Sequence, residues 1–185
     1  MWWRKKKPGL EDVTAVLITK QAEYPKEITL KGFGEVIIKT NSESVYERYL
    51  QAARAKNDII YVQDDDCIVD YKKLFRRYNG RITNAMSGRM GFYDKISGGR
   101  VTLVGWGAFF PKTMLGSFDA YIRAYGVDSL LLTQADRVFT WLNYPHNVVK
   151  MDVKLLESTF QPDRMSADPM HFEYLKQVIE KLKQL

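Results

Sequence analysis

The stretch IIYVQDDDCIVDY, residues 59–71, joins an apolar run to three adjacent carboxylates, Asp64, Asp65 and Asp66. A short run rich in β-branched and aromatic residues predicts a buried strand. Carboxylates this close raise the cost of ionising one another. A buried strand that ends in three acids therefore calls for something positive beside them. What flanks the strand decides the fold that presents it.

Upstream, VTAVLIT (13–19) and EVIIKT (35–40) repeat the strand pattern around the turn residues of LKGFGE. NSESVYERYLQAARAK (41–56) is helical in period: Ser44 and Glu47 have capping-box spacing, and Val45, Tyr49, Ala52 and Ala53 fall near one face. Downstream, DYKKLFRRY (70–78) predicts a short helix closed by Asn79 and Gly80. Strands and helices alternating at this spacing imply parallel pairing with helices over the sheet, an α/β fold. The second half is richer in glycine. It carries helical SFDAYIRAYG (117–126) and ADRVFTWLNY (135–144), strand-like VVKMDV (148–153), and an amphipathic helix over 171–185.

With 185 residues, 45% of them hydrophobic, the chain is sized for one domain with a real core. The expected organisation is a basic aromatic tail over 1–12 and a single domain over 13–185. The net charge of +6 looks like a nucleic-acid signature until it is located. Arg4, Lys5, Lys6 and Lys7 carry four of the 28 basic side chains, which leaves 24 against 22 acidic ones. A clustered tail is not a basic face, and no nucleic-acid partner is expected.

Cys67 is the sole cysteine, which excludes an intrachain disulfide and a cysteine zinc cluster and suits a reducing compartment. No apolar stretch approaches the roughly 18 residues of a membrane span, and MWWRKKKPGLEDV lacks the apolar centre of a signal peptide. A cytoplasmic location is expected. Trp2 and Trp3 beside four cations give residues 2–7 a means of touching an anionic membrane surface. An untethered terminus is the plain alternative.

In open parallel sheets, ligands bind beyond the carboxyl ends of the strands, where the three aspartates are expected. Carboxylates hold Mg2+ or Mn2+ there together with substrate phosphates and water. Such an ion would neutralise both sets of charge and stabilise a departing nucleoside diphosphate. The alternative is one aspartate capping the following helix, with the others solvated.

DIIYVQDDDCIVDYKKLFRRY (58–78) resembles the DxD region of GT-A glycosyltransferases, in which a strand ends in acids that hold a divalent metal and the sugar nucleotide. VTAVLITKQAEYP (13–25) is similar to the first strand and loop of that fold, where the base and ribose lie. By this resemblance Thr19, Asp64, Asp65 and Arg89 join the nucleotide site. LVGWGAFFPKTML (103–115) resembles the segment entering the acceptor side, and TQADRVFTWLNY (133–144) the helix start where inverting members keep their base. MSADPMHFEYL (165–175) is similar to a late segment containing Ser and His in small bacterial members of this kind. The resemblance implies a GT-A-like mixed, mostly parallel sheet flanked by helices. It also implies Mn2+ or Mg2+ as cofactor, a UDP- or GDP-linked sugar donor and a hydroxyl acceptor. The chain departs from the pattern at Gln63, and at Ala135–Asp136, where the family usually has two acids.

Within that frame Asp66 is the direct metal ligand. Asp64 lies on the metal through water or on the ribose, since residues two apart in an extended chain point the same way. Asp65 points elsewhere and braces the loop, or shares the metal if the strand has already ended. Asp136 opens a helix as a cap or first-turn acid. Under the resemblance it is the base that takes the acceptor's proton. His171 is a fair Mn2+ ligand and a poorer Mg2+ one, with His146 a weaker candidate. Arg89 and Arg81 are candidate phosphate clamps. Gly105 and Gly107 flank Trp106, which is placed to stack on a sugar or base or to fill the core. YDKISGG (93–99) is the candidate acceptor loop.

Two rival classes stand beside this reading. A haloacid-dehalogenase-type phosphatase also uses a pair such as Asp64 and Asp66, but it wants Thr or Val where Ile68 stands and its motif near the first strand. The other is a non-catalytic nucleotide-sugar or nucleic-acid binding module. The tail lacks the aromatic platform that single-strand binding needs.

Overall fold

The structure is a computed structural model that describes residues 7–86, 97–156 and 170–185; the side chains of His171 and Phe172 lie outside the described set. The elements run β1 (Val13–Ile18), β2 (Glu35–Lys39), α1 (Glu47–Arg54), β3 (Ile59–Gln63), β4 (Cys67–Val69), α2 (Tyr71–Phe75) and β5 (Thr83–Met86). After them come β6 (Ala108–Pro111), α3 (Leu115–Tyr125), α4 (Ser129–Leu142), β7 (Asn147–Lys150), β8 (Val153–Leu155) and α5 (His171–Leu182).

Six strands form one sheet in the order β2-β1-β3-β6-β5-β7, and β4 pairs with β8 in a second, two-stranded sheet. Strands β2, β1, β3, β5 and β7 run one way and β6 runs against them. The chain is thus α/β, with a mixed, mostly parallel sheet flanked by helices, as the alternation of apolar and amphipathic runs predicts. All six residues of β1 are buried, because it has strands on both edges and packing on both faces. Adjacent residues go to opposite faces. Val16, Ile60 and Phe110 enter the larger core with residues of α1, α3, α4 and α5, while Ala15, Tyr61 and Phe109 enter a smaller one with Cys67, Val69 and Leu74.

Several elements differ from the sequence-based expectation. The VVKMDV run is divided between β7 in the main sheet and β8 in the small one. CIV forms β4, a strand of three residues that is too short to carry a period of its own. Helix α1 begins at Glu47 without a side-chain cap from Ser44. The Glu47 carboxylate instead accepts from the Glu43 amide at 3.0 Å. Ala53 is exposed, and the buried face of α1 is Arg48, Tyr49 and Ala52.

Helix α4 starts at Ser129, ahead of the expected point. Asp128 caps it, accepting from Leu131 N at 2.8 Å. The expected helix start near Asp136 is instead a kink, with Gln134 at φ −122°, ψ 22°. Asp136 follows two residues beyond it. Asp70 caps α2, accepting from Lys73 N at 2.9 Å.

Candidate functional site

Strand β3 ends at Gln63, so Asp64–Asp66 form the turn between β3 and β4 rather than a continuation of the strand. Leu17 of β1 is in register with Gln63. The carboxyl ends of two parallel strands therefore lie side by side, with Thr19 following one and the aspartates following the other. The period-two argument for Asp64 and Asp66 does not apply, because it holds only while the chain is extended.

The turn is anchored on every side. Asp64 N donates to Gly105 O at 2.7 Å, Tyr24 Oη donates to Asp64 O at 3.2 Å, and Leu156 N donates to Asp66 O at 2.8 Å. From beneath, Tyr61 Oη donates to Gln63 Oε1 at 2.6 Å and Gln63 Nε2 to Cys67 O at 2.7 Å. Gln63 thus ties the end of β3 to Cys67 at the start of β4, across the turn. Gly105 allows a close approach: a Cβ there would displace the Asp64 carboxylate from its place. Gly107, at φ +92°, occupies the left-handed region and closes the turn into β6, its amide donating to Val104 O at 3.1 Å.

The side chains of the first two aspartates part company. Thr19 Oγ1 donates to Asp65 Oδ2, and Thr19 Oγ1 in turn accepts from Gln21 N at 3.1 Å. Asp65 braces the loop, the first of the two expectations for it. Asp64 Oδ1 takes Arg48 Nη2. The other arm of Arg48, Nη1, reaches Asp136 Oδ2 at 3.3 Å, and Tyr49 Oη donates to Asp136 Oδ1 at 2.8 Å. A positive group does sit beside the aspartates, and it is a side chain that is 1% exposed.

Burial by itself would lower the Arg48 pKa, but Asp136 and Asp64 more than offset it and hold the guanidinium above its ordinary value. Burial moves the Asp136 carboxyl up, with Arg48 pulling against it and Asp64 pushing with it. Both directions describe a buried pair in which the arginine stays charged and the carboxylate is a stronger base than an exposed aspartate. Burial also raises the Cys67 thiol, which is inert in this setting.

Arg48 was not singled out from the sequence, and Tyr49 was placed only on the apolar face of its helix. A signal was present: Arg48 lies three residues after Val45 and four before Ala52, on the apolar stripe of α1. A cation on such a stripe needs a buried partner.

The other candidates scatter. Thr83 and Tyr61 share Phe109 as register partner, so Arg81, just before β5, lies level with the start of β3, at the end of the sheet away from the aspartates. His146 precedes β7 at that same end, with Nε2 donating to Thr140 O at 2.7 Å. Trp106 is half-buried against the smaller core. Arg89, the side chain of His171, residues 2–6 and most of YDKISGG lie outside the described residues.

The donor chemistry at the turn is carboxylate oxygen alone, which suits a hard cation such as Mg2+ or Mn2+. Among the described residues no three His, Cys, Asp or Glu side chains converge as a ready-made cage. The turn fits a cation that takes one or two carboxylates and completes its shell with phosphate oxygens and water. Also among the described residues, no helix is long and apolar enough to cross a membrane. Compared with known proteins, the chain matches no family model, no curated protein and no solved structure.

Proposed function

We propose that the protein is a GT-A-like, metal-dependent glycosyltransferase that moves a sugar from a UDP- or GDP-linked donor to a hydroxyl acceptor. One observation carries the reading. The Asp64–Asp66 turn, Thr19 and, through Arg48, Asp136 converge where β1 and β3 end. This is where open α/β sheets bind ligands, and the mostly parallel mixed sheet is of the kind the resemblance implies.

In this reading Thr19 and Asp65 form the shelf for the nucleotide. Asp66 holds Mn2+ or Mg2+ with the diphosphate, and the bound ion supplies Lewis-acid stabilisation of the leaving group. The acceptor oxygen bonds to the anomeric carbon while the bond from that carbon to the phosphate oxygen breaks. The nucleoside diphosphate leaves with the bonding pair, the hydroxyl proton passes to Asp136, and the configuration inverts. Among the described residues each Asp136 oxygen accepts one bond, and a carboxylate oxygen has a second lone pair for the incoming proton. A phosphatase would instead need a free carboxylate nucleophile, and the pairing of Asp64 with Arg48 favours the transferase.

Calorimetry of UDP and GDP binding, with and without Mn2+, tests the proposal on the wild type and on Asp66→Ala. One nucleotide should bind in a Mn2+-dependent way, with at least about a tenfold loss in the variant. Binding of neither, with or without the ion, would refute it.

A further inference from the structure

We propose that Arg48 is a positioning residue that locks the carboxylate of Asp136 to the acidic turn, with Asp64 serving that lock rather than the cation. The kinetic consequence rests on the transferase reading above; the lock itself rests on geometry.

At 1% exposure, the Arg48 guanidinium is not a group that a ligand meets from solvent. Its terminal nitrogens are both engaged inside the protein, Nη2 by Asp64 and Nη1 by Asp136 at 3.3 Å. Among the described residues its Nε has no acceptor, so two carboxylates hold this cation in place.

Asp64 cannot readily swing away. Its amide is tied to Gly105 O at 2.7 Å, its carbonyl to Tyr24 Oη at 3.2 Å, and its carboxylate fills the space that a Cβ on Gly105 would occupy. Asp136 is met a second time by Tyr49 Oη at 2.8 Å, from the residue next to Arg48 on α1. One turn of α1 thus presents a cation and a hydroxyl to a single carboxylate, while the other arm of the cation grips the acidic turn. The three aspartates divide the work: Asp64 fixes Arg48, Asp65 fixes Thr19, and Asp66 serves the divalent ion.

The variants Asp64→Asn, Arg48→Lys, their combination and Asp66→Asn test this division. Mn2+-dependent binding of UDP and GDP is read by calorimetry. Turnover is read as nucleoside diphosphate released from UDP- and GDP-hexose with water as acceptor. Asp64→Asn and Arg48→Lys should bind within about threefold of the wild type yet turn over at least about tenfold more slowly. Their combination should be about as slow as the worse single variant, because both break the same lock. Asp66→Asn should lose binding instead. The lock is overturned if Asp64→Asn weakens Mn2+-dependent binding as much as Asp66→Asn does, or if the combined rate loss is the product of the single ones.

A urea-unfolding cycle of Asp64→Asn, Asp136→Asn and the double variant needs no activity. The double variant should lose more than the sum of the singles, because Arg48 is then buried without a carboxylate. Additive losses overturn the lock. A wild type that neither binds nor releases a nucleotide refutes the transferase reading alone, and the unfolding cycle then decides the role of Arg48.

Discussion

The two ends of the central sheet satisfy their polar groups in different ways. At the end where β3 begins, several side chains bond to main chain, His146 Nε2 to Thr140 O at 2.7 Å, Lys112 Nζ to Ala55 O at 2.6 Å and Asn147 Nδ2 to Arg77 O at 2.8 Å, and the ion pair there, Lys56 with Glu35 at 3.8 Å, keeps its lysine in solvent. At the end where β3 finishes, beside main-chain bonds from Tyr24 and Gln63, a buried charged network joins side chain to side chain: Arg48 to Asp64 and Asp136, Tyr49 to Asp136, with Thr19 to Asp65 next to it. A main-chain acceptor comes with every residue, so the first kind of bond depends on one side chain only. The second kind needs two specific residues, as far as 88 positions apart. An end built in that costly manner is the end where chemistry is expected.

The largest way to break this contrast is Arg48→Gln. It leaves the Asp136 carboxylate buried without its cation and should cost about 3–5 kcal/mol, read from the urea midpoint. A midpoint unchanged from the wild type would mean that the acidic end is no more demanding than the other.

Tyr49→Phe sharpens the contrast at a smaller scale. The ring keeps its packing on Phe118 and Phe139, at centroid distances of 4.8 and 4.7 Å, and only the donor to Asp136 is lost. A loss of about 1–3 kcal/mol is expected for the unsatisfied buried acceptor. A cost indistinguishable from zero would assign Tyr49 to ring packing alone.

The smallest effect belongs to His146. Burial holds its imidazole below the ordinary 6.5, against the pull of the Thr140 carbonyl. The folded chain therefore binds fewer protons than the unfolded one once the pH falls below that value. Stability that is present above 6.5 is lost as the pH drops through the depressed folded value. The stability advantage of the wild type over His146→Gln should be flat above neutral pH and shrink below it. An advantage that grows on acidification would reverse the sign of the burial effect.

Much of the first half was legible in the residues. The runs that became β1, β2 and β3 are short, β-branched and bounded by turn residues, and Asp70 stands where a cap belongs. Helices α3 and α5 follow their apolar period for the same reason: side-chain spacing and capping act over a turn or two of chain, so a local window contains the whole cause. Even the need for a positive partner at Asp64–Asp66 follows from like-charge repulsion alone.

Which positive group answers that need was a tertiary matter. Arg48 sits on an apolar stripe in the sequence with nothing nearby to pair it, because its two carboxylates lie 16 and 88 residues away. They meet it only after β1 and β3 have paired, the turn after Gln63 has redirected Asp64 from Asp65, and the kink at Gln134 has set the course of α4. The division of VVKMDV between two sheets has the same origin, since strand partners are chosen by register across the whole sheet. By itself the sequence determined the strands, the helices and a concentration of negative charge at a strand's end. The tertiary structure decided which aspartate meets which cation, because pairing energies between distant residues leave no mark on local pattern.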